Sequence, residues 1–373
     1  MLGADRGQSR LTGKTAQLPM PLETEIPGGS GVLLIDPTKY PGWDDEMARL
    51  PGAGFFHTAA WARVLVETHR YSPLYLAVRN GSRLSAVLPL MEVSSWVTGR
   101  RAISLPFTDA VEPLGVNAEI WPRFYAAARQ LADERHWKYL EFHGGSPWLT
   151  FAPPATAFHR HMLDLRRDDA ALFANCDEPV RKAVRKAERS GLSVEFSTEE
   201  RALREFFELF CRTRRKHGAP PQPYRFFTSI RRHVFQRGHG RIVLARHGSQ
   251  AVAGAIYFHA GGSTLYKFGA SDERMQHLRG NNLVMWSAIR KYASEGFATF
   301  DFGRTSLGNE GLRKFKASWG ADESNLEYWR LDLRTGSFVT VPDRASGPQA
   351  ALFRRMPVSL ARLIGSLAYR HIG

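Results

Sequence analysis

Cysteine is almost missing from this chain: Cys176 and Cys211 are the only two in 373 residues. Two thiols without paired spacing make neither a disulfide framework nor a zinc site, so they read as incidental buried side chains and require no oxidising compartment. Long apolar runs are missing as well. None approaches the roughly 20 residues that cross a bilayer, and residues 1–30 lack the continuous apolar stretch of a signal peptide. That segment reads as a disordered tail in a cytoplasmic protein. The signatures G-x-S-x-G, the Walker loop, H-E-x-x-H and G-x-G-x-x-G are absent, which removes support from hydrolase, nucleotidase and dehydrogenase readings. No helix-turn-helix, zinc-finger or basic-zipper pattern is present, so a sequence-specific DNA reader is set aside. The histidines are scattered, and His143, His259 or His277 taken alone is more often structural than catalytic.

Acid is short in one place above all. The chain has 51 basic and 36 acidic residues, a net charge of +15. Between Glu208 and Asp272 there is no carboxylate, although Arg212, Arg214, Arg215, Lys216, Arg225, Arg231, Arg232, Arg237, Arg241, Arg246 and Lys267 lie there. Unneutralised positive charge of that density attracts polyanions such as tRNA, a nucleotide-linked sugar, coenzyme phosphates or an anionic membrane face. The plain alternative is a solvated basic surface that aids solubility.

What the chain does have is order. Its length and 43% hydrophobic content suit two domains. Leu74–Leu90 holds two alternating runs around Asn80-Gly81, a strong hairpin signal. A strand-like run at Ala102–Pro106, a helical stretch at Glu119–Arg135 and a strand at Lys138–Gly144 follow. A second hairpin at Ile242–Phe258 is followed likewise by a strand at Thr264–Gly269, a helix at Asn282–Glu295 and a strand at Phe297–Gly303. The repeat suggests a duplicated α/β unit, with a boundary near the Pro-rich FAPPATAF at 151–158. The units are placed at 31–158 and 159–345, the second including a basic helical insert at 178–235. In the insert, Asp177 and Pro179 open one helix, and Ser197 with Glu200 reads as a capping box for another that runs to Gly218. Residues 346–373 form a basic amphipathic helix, with Leu360, Leu363, Ile364 and Leu367 at helical spacing. It suits an anionic membrane or packing on the second unit equally well.

Two places can carry chemistry. The loop His277–Asn282 leads from a strand into a helix N-terminus, where free N–H groups point at one spot, so Arg279, Gly280, Asn281 and Asn282 are candidates for an anionic donor group. FGRTSLGNEGLRKFKASWG at 302–320 leaves the carboxyl end of a strand, where α/β units place ligands. There Arg304 and Lys316 can fix an anion or a developing oxyanion, Asp301 or Glu310 can take a proton from an attacking amine, and Asn309 and Phe315 lie alongside. The dull readings are an outward Asp301 and a Glu310 that merely caps a helix.

Four stretches, VRKAVRKAERSGLSVEF (180–196), CRTRRKHGAPPQPYRFF (211–227), LYKFGASDERMQHLRGNNLVMWSAI (265–289) and FDFGRTSLGNEGLRKFKASWGA (300–321), resemble the Fem-like aminoacyl and acyl transferases, in particular the branch associated with exopolysaccharide and exosortase gene clusters. The resemblance implies an α/β (α+β) fold of two tandem GNAT-like, acyl-CoA N-acyltransferase-like domains, with mixed central sheets flanked by helices. It implies transfer of an acyl or aminoacyl group to an amine of an envelope glycan precursor, peptidoglycan or exopolysaccharide. Phe315-Lys316 is similar to the Phe-Lys pair that such transferases hold at the reaction centre, which makes Lys316 the residue that steadies the tetrahedral intermediate or leaving group. Tyr257, Lys267, Arg214 and Arg215 complete the candidate substrate-binding set. No tightly bound cofactor is expected, and the donor is acyl-CoA or aminoacyl-tRNA: HLRGNN supplies only one glycine of the usual pyrophosphate loop, and the long coiled-coil arm of some tRNA-using members has no counterpart. The expected partner is an anionic small molecule or a lipid-linked glycan. A small soluble amine acceptor and a non-catalytic anion-binding module are the other readings.

Overall fold

The computed structural model describes residues 23–27, 31–341 and 349–372. The expected tail lies outside these residues apart from 23–27, and so does the expected boundary at 345/346. The described part of that tail is strand β1 (Glu23–Glu25), which pairs antiparallel with β2 (Leu33–Ile35).

β2 continues into the first hairpin, β4 (Tyr75–Asn80) and β5 (Arg83–Leu88), with β3 (Ser72–Pro73) just before it. The tight connection works because Gly81 takes φ 63°, a left-handed conformation without penalty for glycine. Four strands form this small sheet, in the order β1-β2-β4-β5. Helices α1 (Trp43–Arg49) and α2 (Ala59–His69) precede the hairpin. After it come β6 (Met91–Ser95), β7 (Gly99–Ile103), α3 (Ile120–Arg135) and β8 (Tyr139–His143), with β7 and β8 parallel.

In the second half, β9 (Thr156–Asp164) is followed by α4 (Asp169–Asn175), α5 (Glu178–Arg189), β10 (Leu192–Ser197), α6 (Glu200–Lys216) and α7 (Tyr224–His233). The Ser197 hydroxyl accepts the Glu199 N–H at 3.1 Å, so a local turn replaces the anticipated capping box before α6. The second hairpin, β11 (Gly240–His247) and β12 (Gln250–Ala260), leads to β13 (Ser263–Ser271), α8 (Gly280–Ser294), β14 (Thr299–Ser306), α9 (Glu310–Ala317), β15 (Asp322–Asp332) and β16 (Ser337–Phe338). Helices α10 (Gln349–Arg355) and α11 (Val358–Ala368) close the described chain. β13 and β14 are parallel and joined by α8, as β7 and β8 are joined by α3, so the strand–helix–strand unit does occur twice.

The two units share one sheet. Its order is β10-β11-β12-β13-β14-β9-β15-β8-β7-β6-β3, with β16 on β15. β15 is the joint, pairing with β9 on one side and with β8 of the first unit on the other. An aromatic core crosses the same junction: Phe55 stacks on Phe258 at 4.3 Å between centroids, and Trp61 meets Phe226 edge-on at 5.9 Å. Such ring pairs add about 0.5–1.5 kcal/mol each beyond their buried area.

Candidate active site

A cleft opens where β13 and β14 part. The strands are neighbours only from Ser263–Leu265 against Thr299–Asp301. Beyond that point β13 stays with β12, Tyr266 opposite Tyr257 and Ser271 opposite Ala253. β14 resumes on β9, Arg304 opposite Arg160, after an irregularity between Asp301 and Arg304. Gly303 takes φ 70° in this bulge. A side chain there would be strained, which is why the strand carries glycine. The Asp301 Oδ1 accepts the Gly303 N–H at 2.7 Å and fixes the bulge.

Lys316 satisfies the bulge from the other side. Its Nζ donates to the carbonyls of Gly303 at 2.8 Å and Arg304 at 2.9 Å. α9 delivers it: the Asn309 Oδ1 caps the helix by accepting the Leu312 N–H at 3.1 Å, and Trp319 just beyond is fully buried. Lys316 is 2% exposed. Burial pulls its ammonium down to about 8, with the Asp109 and Asp301 carboxylates opposing, so it stays largely protonated at pH 7. An ammonium has three donors. Two are on carbonyls, and the third has no hydrogen-bond partner among the described residues.

Around Lys316 lies a charge cluster drawn from both units. The Lys267 ammonium meets the Asp109 carboxylate at 2.6 Å and donates to the Phe107 carbonyl at 2.7 Å. Burial pushes Asp109 up, but the cations Lys267 and Arg304 outweigh it and hold the carboxyl below its usual range. Arg160 grips the Asp301 Oδ2 with Nε at 2.9 Å and Nη2 at 2.7 Å. The Arg304 guanidinium lies 4.7 Å from the Phe158 ring and donates to the Tyr328 hydroxyl at 2.9 Å.

Two cavities lie in this region. One, of about 300 Å³, lies beside β12 and β13 and is lined by Tyr257, Tyr266, Ser271, Asn281, Met285 and Phe315 among others. Thr213, Lys216 and His217 from the end of α6 also border it. The second, of about 310 Å³, lies between the units and is lined by Phe56, His57, Glu112, Arg160, Leu265 and Asp301 among others. Leu265 lines the inter-unit cavity and its neighbour Tyr266 lines the other. In the inter-unit cavity the Glu112 Oε2 accepts the Gly145 N–H at 2.5 Å, and Oε1 has no hydrogen-bond partner among the described residues. Burial pushes this carboxyl up, with the Gly145 N–H and Arg160 opposing.

The remaining candidates divide. Tyr257 is buried in the cleft wall, its hydroxyl 3.8 Å from the Met285 Sδ. Arg279 caps α8 with φ 60°. Gly280 packs where an added Cβ would stand 3.0 Å from that of Ala253. Asn281 donates to the Ser271 hydroxyl at 3.2 Å, and the Asn282 N–H to the Arg279 carbonyl at 3.0 Å. These four residues set the α8 N-terminus beside the cleft. Asp301 is engaged by Arg160 through Oδ2 and by the bulge through Oδ1. Glu310 is exposed and ion-paired with Arg313 at 3.4 Å, and Asn309 lines a separate groove with Leu307 and Val341. Arg214 fastens the proline loop and the C-terminal segment through the Pro220 carbonyl at 3.3 Å and the Tyr369 hydroxyl at 3.2 Å, and Arg215 faces solvent.

The expectation of unneutralised charge between Glu208 and Asp272 is corrected by the fold. Arg232 pairs with Glu67, Arg241 with Glu295, Lys267 with Asp109, and Arg246 with Glu195 and Glu205. Arg212 and Lys216 pair with Asp272 and Glu273 just past the stretch. Acids outside the segment thus neutralise most of these cations, while Arg214, Arg215, Arg225 and Arg237 have no ion pair among the described residues. The site residues that sequence reading missed, Asp109, Glu112, Arg160 and Tyr328, come from segments without strong periodicity or from strands joining the units; the only signal was the alternating run at 156–164.

The profile of the Acetyltransferase (GNAT) domain matches residues 174–317, which include the whole cleft between β13 and β14. No curated protein gives a significant match. Among solved structures, a crystal structure of FemX superimposes with a TM-score of 0.62 at 15% identity, over 76% of this chain and 94% of that one. A conserved protein of unknown function from Bacteroides thetaiotaomicron aligns with a TM-score of 0.51 at 10% identity, over 77% of this chain and 90% of its own. A tandem GNAT protein from the clavulanic acid biosynthesis pathway gives 0.48 at 14% identity, over 74% and 88%. Residues 174–317 therefore match a GNAT domain, and the fold as a whole is similar to that of FemX.

Proposed function

We propose that this acyltransferase moves an acyl or aminoacyl group from an activated donor, acyl-CoA or aminoacyl-tRNA, to an amine of a cell-envelope glycan precursor of peptidoglycan or exopolysaccharide. The observation that carries the reading is the buried Lys316 ammonium, with one N–H unspent, held on the Gly303 and Arg304 carbonyls just beyond the last pairing of β13 with β14. The donor's acyl end occupies the cleft where these strands part, and its phosphates meet the α8 N-terminus at Arg279–Asn282 and the cation of Lys216. The acceptor amine approaches from the inter-unit cavity. Its nitrogen bonds to the acyl carbonyl carbon while the bond to the leaving thiolate or ribose oxygen breaks. Lys316 donates to the oxyanion or to the departing atom, and the Glu112 Oε1 takes the proton the amine sheds. Glu112 thus fills the role expected of Asp301 or Glu310. Holding the two reactants together beside Lys316 supplies most of the acceleration.

The size of the inter-unit cavity, about 310 Å³, favours a second reading in which the acceptor is a small soluble amine that it encloses whole. Thermal shifts with CoA, acyl-CoA, charged tRNA and UDP-sugars separate the donors, since a ligand at a hundred times its Kd adds about 2.7 kcal/mol. Mass spectrometry of envelope glycans from cells lacking the gene then identifies the acceptor. A missing acyl or aminoacyl mass supports the glycan reading, and an unchanged glycan profile with acylation of a small amine in vitro overturns it.

Replacing Glu112 with glutamine is expected to lower turnover by about 10²-fold and to remove the acidic limb of the pH–rate profile. Burial raises this carboxyl, so the wild-type rate climbs with pH as Glu112 loses its proton. A variant that keeps the limb would take Glu112 out of the reaction.

A further inference from the structure

We infer that the β6–β7 hairpin tip and the C-terminal helix together form a docking surface for a bilayer carrying anionic headgroups. Seven large exposed apolar side chains come from just these two segments: Trp96, which is 89% exposed, with Val97, Leu352, Leu360, Leu363, Leu367 and Ile372. The other exposed large side chains of the first unit and the central sheet, such as Phe151 and Phe196, stand apart in sequence and need no explanation.

The geometry of α11 accounts for the helical half of the surface. Ala361 and Gly365 are its buried positions. A Cβ at Gly365 would lie 2.0 Å from the Pro221 carbonyl oxygen, so the helix lies hard against the proline loop. Leu360, Leu363 and Leu367, three and four residues apart, share a helix face that this packing leaves in solvent. The Tyr369–His371 turn then plants the chain end on the hairpin. The Ser95 hydroxyl meets the His371 Nδ1 at 2.8 Å, Arg101 donates to the His371 carbonyl at 2.9 Å, and the Tyr71 hydroxyl donates to the Ile372 carbonyl at 2.9 Å. The Trp96 ring stands edge-on to His371 at 5.7 Å. The hairpin tip and the end of the helical segment are therefore physically continuous.

Charge selects the occupant. Arg100, Arg354, Arg355, Arg362 and Arg370 are exposed along the two segments, and neither 94–101 nor 349–372 contains a carboxylate. Glu208 borders the groove beside Arg362 and Leu363, on the α6 side of the helix. An exposed tryptophan and leucines among arginines match the boundary between headgroups and acyl chains, where an indole sits and guanidinium groups reach lipid phosphates. A second copy of the chain would bring the same uncompensated cations to its own contact. No described helix is long and apolar enough to cross a membrane, so the contact is peripheral.

The test is vesicle flotation of the whole protein, read without any transfer assay and so independent of the proposed reaction. Vesicles of phosphatidylcholine are compared with vesicles containing about 30% phosphatidylglycerol. The protein is expected to float with the anionic vesicles and to be released by high salt. Trp96→Ser with Val97→Ser, and separately Leu363→Ser with Leu367→Ser, are each expected to weaken binding by about tenfold or more. Because all four side chains are exposed, circular dichroism and the melting temperature are expected to stay unchanged. Failure to float with either vesicle, flotation insensitive to both pairs, or concentration-dependent dimers that the same substitutions abolish without any lipid binding would each overturn the inference.

Discussion

Lys316→Met is expected to lower turnover by about 10²–10³-fold while donor affinity changes only a few-fold, the signature of a donor aimed at charge that develops in the transition state. Methionine also strips the Gly303 and Arg304 carbonyls of their partner, so the arginine variant is the sharper test. Lys316→Arg keeps donors for the bulge but carries a guanidinium that stays charged throughout the working range. Wild-type activity is expected to fall as pH rises through about 8, where Lys316 loses its proton. Lys316→Arg is expected to retain partial activity and to lose that alkaline limb. An arginine variant with the same limb would assign it to another group.

The energetics of this lysine also speak for a role beyond packing. Burial lowers it from its ordinary 10.5 to about 8. Between those values the unfolded chain holds a proton that the folded chain has released, so this group's contribution to stability improves as pH rises through that window and is unfavourable below it. A side chain kept at a cost to stability belongs to the sites where function and folding conflict.

Asp109→Asn is expected to have the largest effect on stability. Asp109 and Lys267 are buried partners, with side chains 15% and 9% exposed, and removing one member of such a pair leaves the other charge without compensation, at about 3 kcal/mol or more. A melting temperature lower by roughly 5 °C or more follows. The same carboxylate is the largest electrostatic support of the Lys316 proton, so the alkaline limb is expected to move below pH 8. Adding Lys267→Met is expected to restore part of the stability and none of the pH shift, because it removes the stranded cation without replacing the lost anion. Unchanged melting and an unchanged limb in Asp109→Asn would show that the cluster does not couple the units to the site.

Much of the fold was legible because its signals are local. The Asn80-Gly81 turn, the periodicity of α3 and α8, and the alternation in the second hairpin and β14 each lie within about twenty residues, and together they display the duplication. The joint between the units was not legible. β15 opens with Asp322, Glu323, Ser324 and Asn325, a poor strand signal, and becomes a strand because β9 and β8 offer edges on either side of it. Charge misled for a related reason: Arg246 and Lys267 look unneutralised in the chain, and their carboxylates arrive only on folding. At the site, the importance of Phe315-Lys316 came from resemblance. The bulge that gives Lys316 its two carbonyls depends on where β14 leaves β13, and that divergence has no one-dimensional pattern beyond the glycine at 303. Glu112 lies in an aperiodic loop, so nothing in the chain distinguished it from a surface acid.

The most direct measurement is a crystal structure with bound donor, using whichever of acyl-CoA or an aminoacylated tRNA acceptor stem raises the melting temperature. The account expects the reactive carbonyl, or the atom it will release, between β13 and β14 and within about 3 Å of the Lys316 Nζ. A donor seated outside that cleft, or one seated in it while the third N–H of Lys316 points away from the acyl group, would contradict it.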